Sequence, residues 1–460
     1  PPITPLRPPD GAPNVVIVLI DDMGFGATSA FGGPCQMPTL ERLAGNGLSY
    51  SRFHTTALCS PTRQALLTGR NHHSAEMGSV GEVATSMPGN TSVRPNSVST
   101  VAEMLRLNGY NTAAFGKMHQ TPVWETSVSG PFDRWPTGDG FEKFWGFVAG
   151  ETNQWEPTLF EGTTPTEPRA TAEDGYHLTE EQADQAIAWV RAQKAMTPDK
   201  PFFMYMSYGA THAPHHVPPE WIEKYRGRFD EGWDAVRAET LANQIEKGLV
   251  PEGTALTPRP PGVEAWDDLS DDQRTVGARL METYAGFAEH TDFHTGRLVD
   301  ALDEIGVLDD TIVIYIAGDN GASAEGGLDG TFNEIKALNG VPETVDEILP
   351  HLDEIGSPAA FNHYPVGWAH AMNSPYQWTK QVASHFGGTR NGMALSWPNG
   401  IQDRGEIRQQ FHHVIDIVPT ILEVAGLPEP YMVNGVAQKP LEGVSMAYTF
   451  DDAESEDRHV

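Results

Sequence analysis

Continuous apolar runs alternate with amphipathic segments along this chain, and this alternation constrains its fold more than any other feature. The run NVVIVLIDD (14–22) carries no polar side chain between its first residue and its two terminal acids, which is typical of a strand buried on both faces of a sheet. Similar runs follow at 111–119 (NTAAFGKMH), 201–212 (PFFMYMSYGATH) and 311–321 (TIVIYIAGDNG), and NGMALSWP (391–398) supplies a last core strand. The sequence therefore predicts an α/β fold, with a mostly parallel central sheet and helices on both faces.

Helical patterns fill the intervals between these strands. Thr100 and Glu103 have the spacing of a capping box, and Gly109 is expected to end the helix that they start. A second capping box is predicted at Thr179 and Gln182. Further helices are predicted from MPTLERLAGNG (37–47), from the long segment 269–306, and from HHVIDIVPTILEVAGL, beginning near His413. Two stretches, about 227–266 and about 322–375, are punctuated by Gly and Pro, so we expect irregular excursions there.

The charge balance limits the partners of the chain. It carries 62 acidic and 30 basic residues, a formal net charge of −32. Such a field argues against nucleic acid or an anionic membrane as a partner. It also repels anionic substrates at long range, so any anion site must carry its own positive side chains.

Chain length and targeting signals limit the domain organisation and the location of the protein. The 460 residues exceed the usual size of a single core, but α/β folds of this length often form one unit, so we expect one large domain with room for an appendage. No apolar run of about 18 residues occurs, which excludes a membrane-spanning helix. The first segment, PPITPLRPPDG, has neither an initiator Met nor a signal-peptide pattern and fits a trimmed or processed chain. This favours a cytoplasmic location and leaves a periplasmic or secreted one open.

Polar side chains follow three of the predicted strands. LIDD ends in Asp21 and Asp22, IAGDNG contributes Asp319 and Asn320, and YGATH ends in His212. Each motif alone is more often an ordinary turn. The carboxyl ends of parallel strands meet at one edge of a sheet, however, where α/β proteins place their chemistry. Oxygen ligands gathered there suit a hard divalent cation, Ca²⁺ or Mg²⁺.

Two lysines and the histidines supply the positive charge that an anion site would need. The strand at 111–117 is followed by a His in GKMH, which gives Lys117 and His119, and QWTKQ contributes Lys380. Each of these residues alone would be an ordinary loop or surface side chain. Together they are candidates for holding the oxygens of an anion.

Cys59 precedes a predicted helix start. Ser60 is a plausible N-cap and Pro61 a favoured first helical residue, so Cys59 is expected at the positive end of a helix. Arg63, one turn on, can reach back toward it. Two alternatives are a buried cysteine that acts as a small hydrophobe and a low-pKa thiolate nucleophile. The other cysteine is Cys35, and two cysteines cannot make a disulfide framework.

At these residues the sequence resembles the type I sulfatases of the alkaline phosphatase superfamily. CSPTR (59–63) matches their Cys-x-Pro-x-Arg signature, in which the cysteine is oxidised after translation to formylglycine. The other motifs of the family follow in order: DD (21–22), GKMH (116–119), THAP (211–214), GDNG (318–321) and TK (379–380). The likeness covers nearly the whole chain, and it is greatest to the bacterial arylsulfatase branch.

The resemblance implies a metal site and a nucleophile. Asp21, Asp22, Asp319 and Asn320 would hold one Ca²⁺, or less typically Mg²⁺, with residue 59 as a further ligand. Cys59, as formylglycine hydrate, would attack the sulfur of a small sulfate ester and form a covalent sulfo-enzyme intermediate. The formylglycine-generating machinery would be a partner during maturation.

The resemblance also implies a role for each remaining site residue. Asp319 would be the base, and Arg63 would fix the nucleophile. Lys117 and Lys380 would clamp sulfate oxygens, and His212 with Lys380 would assist the leaving alcohol or phenol. His119 would take a proton from the remaining hydroxyl, so that sulfate is expelled and the aldehyde returns.

Two alternative functions remain open at this point. One is a phosphodiester or phosphonate monoester hydrolase of the same superfamily, and the other is an inactive anion-binding scaffold with Cys59 unmodified. Relatives continue into a smaller C-terminal unit built on an antiparallel sheet. We therefore expect a catalytic domain over 1–440 and the truncated start of that unit over 441–460.

Other histidines and tryptophans have weaker signals. We assign His72, His73, His412 and His413 packing or surface roles, and we place His215, His216 and His363 at the substrate entrance. Tryptophans in the excursions and elsewhere are candidates for stacking on an aryl group or a sugar, although most should anchor the core or loops; these are Trp124, Trp155, Trp233, Trp368 and Trp378.

Overall fold

A large mixed sheet forms the centre of the protein in the computed structural model, which describes residues 6–459. Its strands are β1 (Asn14–Leu19), β2 (Leu48–His54), β3 (Asn111–Lys117), β4 (Lys143–Phe147), β5 (Leu159–Glu161), β6 (Thr164–Thr166), β7 (Phe202–Ser207), β8 (Thr311–Ala317), β9 (Arg390–Ser396), β10 (Glu406–Arg408) and β11 (His412–His413). Their order is β10-β2-β9-β8-β1-β7-β3-β4-β5-β6, with β11 beside β2. A separate hairpin pairs β12 (Met432–Val433) with β13 (Val436–Ala437).

The five strands β8, β1, β7, β3 and β4 run parallel to one another and form the middle of the sheet. β9, formed by the predicted strand NGMALSWP, runs antiparallel to both β8 and β2. The prediction of a mostly parallel sheet is therefore confirmed, with antiparallel pairs limited to β9 and to the edge strands β5 and β6.

Helices cover the sheet on both faces, as predicted. They are α1 (Pro38–Gly45), α2 (Cys59–Thr68), α3 (Val101–Arg106), α4 (Leu178–Met196), α5 (Pro219–Glu223), α6 (Gly232–Glu246), α7 (Asp271–Glu304), α8 (Glu334–Leu338), α9 (Val345–Ile348), α10 (Val366–Met372), α11 (Phe386–Thr389) and α12 (Ile417–Val424). Alternate residues of β1 belong to different hydrophobic clusters: Val16 and Val18 pack with residues of α7, whereas Val15 and Ile17 pack with α2, α3 and α12. This period of two is what a strand buried on both sides requires.

The capping boxes predicted at the starts of α3 and α4 do not form as expected. Thr100 caps α3 by accepting the Glu103 N–H, as expected, but the Glu103 carboxylate binds Arg106 instead of closing a capping box. The capping box predicted at Thr179 is wrong. Helix α4 begins one residue earlier, at Leu178, and the His177 ring accepts the Thr179 N–H.

The expectation of an irregular excursion at 227–266 is also wrong in part. This stretch contains α6, a helix of 15 residues, and Trp233 and Val236 of α6 are buried in the main cluster. Across 322–375 the described helices are short, which fits the prediction better. Tertiary packing of a few aromatic side chains thus stabilises a helix that has little periodic signal.

Residues 441–459 lie against the domain. Met446 and Phe450 join the cluster around α12, and the Arg408 guanidinium donates to the carbonyls of Thr449 and Phe450. The boundary near residue 440 stays a prediction. Among the described residues, no helix combines the length and the apolar character needed to span a membrane.

Candidate active site

Three aspartates meet at the carboxyl ends of β1 and β8. Asp21 and Asp22 follow β1, and Asp319 follows β8, its neighbour in the sheet. One carboxylate oxygen from each lies within 4.8 Å of the others, and the Asp22 N–H donates to Oδ1 of Asp319 at 3.2 Å. Asn320 joins them, since its Nδ2 donates to Oδ1 of Asp22 at 2.7 Å. These four residues therefore lie together at the edge of the sheet that the strand-end motifs predicted.

This cluster fits a bound cation. Oδ1 of Asp21 and Oδ1 of Asn320 are buried and have no hydrogen-bond partner, although buried acceptors are normally paired. All four side chains present oxygen atoms, the ligands that Ca²⁺ and Mg²⁺ prefer. Asp22 also has a φ of 53°, a left-handed backbone that is costly for a non-glycine residue and is often found at functional sites.

Basic side chains neutralise the aspartates one by one. Lys117, at the end of β3, contacts Asp21. Arg63, on the second turn of α2, donates from Nε to Oδ2 of Asp319 at 3.0 Å. Lys380 Nζ lies 2.9 Å from Oδ2 of Asp22. Three basic side chains thus lie together in the interior of an acidic protein. An anion site requires such positively charged side chains.

The pKa values of these groups follow from burial and from their partners. Burial opposes ionisation of Asp22, but Lys380, His212 and Lys117 together hold its pKa below the usual value. For Asp319, burial and then the neighbouring Asp21 raise the pKa, against the effect of Arg63. Burial alone would lower the pKa of Lys380, but Asp22 and Glu325 raise it well above the ordinary value. Asp319 therefore binds a proton more readily than Asp22 does.

Cys59 is the first residue of α2, one position before the predicted cap Ser60. The helix begins at Cys59 itself, with Leu58 as its extended N-cap residue, so the prediction of Ser60 as N-cap is wrong. Ser60 Oγ is buried without a partner. Thr62 stabilises this turn instead, because its Oγ1 accepts the Thr56 N–H at 2.9 Å.

The thiol of Cys59 faces His119. Sγ lies 3.2 Å from Nδ1 of His119, and Nε2 of His119 lies 3.1 Å from both carboxylate oxygens of Glu82. Burial raises the pKa of Cys59, but Lys117 and His119 outweigh it and lower the pKa overall. Burial lowers the pKa of His119, whereas Cys59 and Glu82 raise it, to about 9. The side chain at position 59 thus sits where a negative charge is stabilised.

Arg63 does not hydrogen-bond to Cys59. Its remaining bonds go to the Lys117 carbonyl at 3.1 Å and to the Ser207 hydroxyl. The guanidinium therefore links α2 to the ends of β3, β7 and β8.

His212 and Lys380 form a second group beside Asp22. Lys380 Nζ lies 3.2 Å from Nε2 of His212 and 2.8 Å from Oε2 of Glu325. Nδ1 of His212 faces Glu151 at 3.7 Å. Burial and then Lys380 lower the pKa of His212, which leaves the imidazole neutral at neutral pH.

Sequence reasoning missed the acids that surround the site. Glu82 lies in a short 3-10 turn inside a loop without a motif, and nothing local predicts its contact with His119. Glu325 is different, because it lies only four residues after GDNG in the chain and could have been flagged as a further acid after β8.

The histidines placed at the substrate entrance are buried instead. His215, His216 and His363 are each no more than 1% exposed. His216 Nε2 lies 2.7 Å from the Ala360 carbonyl, and the His215 ring packs against Tyr284 and Tyr364. Aromatic packing thus explains their positions, and the entrance assignment is wrong.

Most of the tryptophans considered for stacking anchor the core. Trp233 and Trp368 pack edge to face, and Trp155 is buried with Nε1 donating to the Gly356 carbonyl. Trp124 is exposed, and Trp378 is partly buried.

The fold and the site together define an α/β enzyme with acids, lysines and histidines at the carboxyl edge of its sheet. Comparison with known proteins agrees. The crystal structure of the PsFucS1 sulfatase from Pseudoalteromonas sp. matches this fold with a TM-score of 0.61 at 18% identity, covering 97% of this chain and 74% of that one.

The sulfatase family model matches residues 13–427. An uncharacterized sulfatase of Schizosaccharomyces pombe is 32% identical over 445 residues, which cover 91% of this chain and 76% of that protein. An arylsulfatase of Klebsiella aerogenes is 28% identical over 445 residues, which cover 95% of this chain and 91% of that protein. The chain belongs to the type I sulfatase family and is a sulfuric ester hydrolase.

Proposed function

We propose that this enzyme hydrolyses aryl sulfates, the sulfate monoesters of phenols, and that residue 59 acts as formylglycine made from Cys59. The observation that carries the proposal is the position of Cys59, whose Sγ lies 3.2 Å from Nδ1 of His119 at the start of α2. Family membership supports sulfate as the group removed. Oxidation by a separate maturation enzyme would replace the sulfur of Cys59 by an aldehyde oxygen. An unmodified thiol cannot supply the hydroxyl groups that the hydrated aldehyde carries.

An aldehyde hydrate supplies two hydroxyl groups on one carbon, one to attack sulfur and one whose deprotonation releases sulfate by C–O cleavage. Asp319, whose pKa is raised by burial and by Asp21, accepts the proton of the attacking hydroxyl. His119, whose Nδ1 lies 3.2 Å from Sγ of Cys59, accepts the proton of the second hydroxyl. Glu82 orients the His119 ring through Nε2.

Asp21, Asp22, Asp319 and Asn320 would hold one Ca²⁺, with residue 59 as a further oxygen ligand after its conversion. Their donor set is all oxygen, and two of those oxygens have no other partner. A bound Ca²⁺ supplies positive charge for a sulfate oxygen and for the nucleophilic oxygen.

Lys117 and Lys380 hold the remaining sulfate oxygens. Both lysines are buried at the carboxyl edge of the sheet, beside the residues proposed to bind the ion. His212 and Lys380 lie 3.2 Å apart, and Lys380 also contacts Asp22. The Lys380 ammonium can donate a proton to the departing oxygen, which turns a phenolate into a neutral phenol, and the neutral His212 ring orients that ammonium.

A cavity beside His212 fits the leaving group. It has a volume of ≈ 420 Å³ and is lined by apolar and polar side chains, among them Phe147, Phe160, Phe361 and Glu151. Glu151 also faces His212, so the cavity adjoins the catalytic histidine. Its aromatic walls favour an aryl group over a small aliphatic alcohol.

Steady-state kinetics on an aryl sulfate test this function. The chain is produced together with formylglycine-generating machinery, and its kcat/KM is compared for an aryl sulfate, an aryl phosphodiester and an aryl phosphonate monoester. We expect the sulfate to be preferred. A clear preference for a phosphorus ester would replace the proposal with the phosphodiesterase or phosphonate hydrolase alternative.

The two cysteines provide a matched pair of variants. Cys59→Ala should lower kcat by more than about 10⁴-fold, as expected when a nucleophile that acts with its base is removed. Cys35→Ala should leave it almost unchanged, because Cys35 is buried in the core. Full activity in Cys59→Ala would rule out residue 59 as the nucleophile.

A further inference from the structure

Glu325, Glu334 and His363 form a second cluster of potential metal ligands next to the catalytic residues. One ligand atom from each side chain lies within 4.8 Å of the other two. Glu334 and His363 are each 1% exposed, and Glu325 is partly buried. This spacing suits donor atoms that share one small cation.

Backbone hydrogen bonds fix the geometry of the cluster. The His363 N–H donates to the Thr331 carbonyl at 3.0 Å, and the Glu334 N–H donates to the Phe361 carbonyl at 2.8 Å. Two chain segments are thus paired side by side, each carrying one of the buried ligands. Glu325 is held separately, by the Ser323 hydroxyl at 2.7 Å and by Lys380.

Two acceptor atoms in the cluster have no partner. Nδ1 of His363 lies 2.9 Å from the Tyr364 carbonyl, which can only accept, so Nδ1 carries the proton and Nε2 keeps its lone pair. Nε2 of His363 and Oε2 of Glu334 are both buried without a hydrogen bond. An unpaired buried acceptor destabilises the folded protein. A cation between these two atoms would satisfy both.

Burial changes the pKa values of Glu334 and His363 in opposite directions. Burial, followed by Glu151 and Glu325, raises the pKa of Glu334 to about 9. Burial lowers the pKa of His363 to about 4, so its imidazole is neutral at pH 7. His363 is therefore in the neutral form in which histidine binds metals, and a bound cation would displace the proton of Glu334.

We propose that Glu325, Glu334 and His363 bind one Zn²⁺ ion, separate from the site formed by the three aspartates. Imidazole nitrogen and carboxylate oxygen are both donors that Zn²⁺ accepts, whereas the aspartate cluster offers only oxygen. The bound ion positions Lys380, because the Glu325 carboxylate that it would hold also contacts Nζ of Lys380 at 2.8 Å.

Zinc binding to the mature full-length chain tests the site directly. The protein is saturated with Ca²⁺ to fill the aspartate cluster, and bound zinc is measured by isothermal titration and by metal analysis after gel filtration. The Cys59→Ala protein is measured in parallel, so that a residual thiol beside His119 cannot bind the zinc. We expect one Zn²⁺ per chain in both proteins, in addition to calcium.

Three variants locate the bound ion. Glu334→Gln and His363→Gln should each weaken zinc binding at least about tenfold while calcium binding persists. Glu334→Gln keeps the shape of a protonated glutamate, so it should fold even if His363→Gln does not. The control is His459→Gln, which alters a histidine and carboxylate cluster that shares no residue with the proposed site (His412, Asp416 and His459), and it should bind zinc as the unmodified chain does.

Two results would overturn the proposal. One is that the calcium-saturated chain binds no zinc at micromolar concentration. The other is that Glu334→Gln binds zinc as tightly as the unmodified chain. Loss of zinc in His459→Gln alone would assign the ion to the other cluster and would equally refute this site. The readout is ion binding, so it is independent of the proposed sulfate ester hydrolysis.

Discussion

Single side chains at the catalytic edge depend on charged partners. Lys117, Arg63 and Lys380 contact Asp21, Asp319 and Asp22 respectively, and all these groups are buried. Removing one partner of a buried pair leaves an uncompensated charge, at a cost of about 3–5 kcal/mol. Substitutions at the site therefore need a stability measurement beside each activity assay.

Glu82 offers a test that leaves the core ion pairs intact. Its carboxylate raises the pKa of His119 because it stabilises the protonated ring. Glu82→Gln should therefore lower that pKa. If His119 must be neutral to accept a proton, the acidic limb of the kcat profile should move to lower pH in the variant.

The measurement for Glu82→Gln is a pH–rate profile of the mature enzyme, together with an NMR titration of His119. The exposed Glu173→Gln serves as control, and its profile should match that of the unmodified enzyme. A shift of the acidic limb toward higher pH would contradict the assigned role of His119.

The site residues differ in how far sequence could predict them. Asp21, Asp22, Asp319 and Asn320 follow apolar strands directly, so the geometry of a parallel sheet brings them together. Glu82 reaches His119 from a loop with no fixed place in the sheet. Its contact depends on tertiary packing of the 71–100 region, which no local pattern encodes.

At the scale of whole elements, helix α7 caps helix α1. The N-cap residue of α1, Met37, has no side-chain cap. Asp292 of α7 replaces it, since its two carboxylate oxygens accept the N–H groups of Thr39 at 2.7 Å and Leu40 at 3.1 Å. Burial raises the pKa of Asp292 to about 7. The cap thus comes from a residue that is distant in the chain.

Asp292→Ala should lower the free energy of unfolding by about 3 kcal/mol, because it leaves two buried N–H groups unpaired. Asp300→Ala is the matched control. Asp300 lies on the same helix and contacts Arg42 of α1 at 2.6 Å, but this pair is exposed, so its loss should cost less than about 1 kcal/mol. Urea unfolding measures both values, and equal losses would contradict the capping role.

Strands were predicted more reliably than helix starts. β1, β3, β7 and β8 are long apolar runs, and burial on both faces makes such runs unmistakable. Helix starts depend on competing local hydrogen bonds instead. Ser60 has the right residue type for a cap, yet Thr62 makes the hydrogen bond that stabilises the first turn of α2. At the start of α4, the His177 ring accepts the N–H of Thr179 and so takes the capping role predicted for Thr179.

For the molecule as a whole, the formal net charge of −32 should slow the approach of a sulfate ester. Raising the ionic strength from roughly 0.01 M to 0.1 M shortens the Debye length from about 30 Å to about 10 Å. We expect kcat/KM to rise about two- to tenfold over this range, with kcat unchanged. An aryl sulfate that carries a quaternary ammonium group, with no net charge, is the control. A fall in kcat/KM for the anionic substrate would show that local positive charge dominates.

Asp416 ties the last described segment to the domain. Its carboxylate accepts from His412 and from the N–H groups of His413 and Val444, and it contacts His459 at 2.6 Å. Burial opposes ionisation, but these contacts lower the pKa of Asp416 from 3.8 to about 2. The carboxylate therefore stabilises the folded state above pH 3.8, and this contribution is lost as the pH falls toward 2.

Asp416→Asn should lower the free energy of unfolding at neutral pH by about 2 kcal/mol. The difference from the unmodified chain should shrink as the pH falls below about 4. Glu423→Gln, an exposed change on α12, should stay within about 0.5 kcal/mol. Urea unfolding at several pH values measures this, and a difference that grows toward low pH would contradict the assignment.

The central claim is that residue 59 of the active enzyme is an aldehyde or its hydrate. Mass spectrometry of the tryptic peptide 53–63, taken from enzyme of known specific activity, tests it most directly. The account predicts a residue 59 in which oxygen has replaced sulfur and two hydrogens have been lost, in a fraction that tracks activity across preparations. Fully active enzyme whose peptide retains an unmodified cysteine would contradict it.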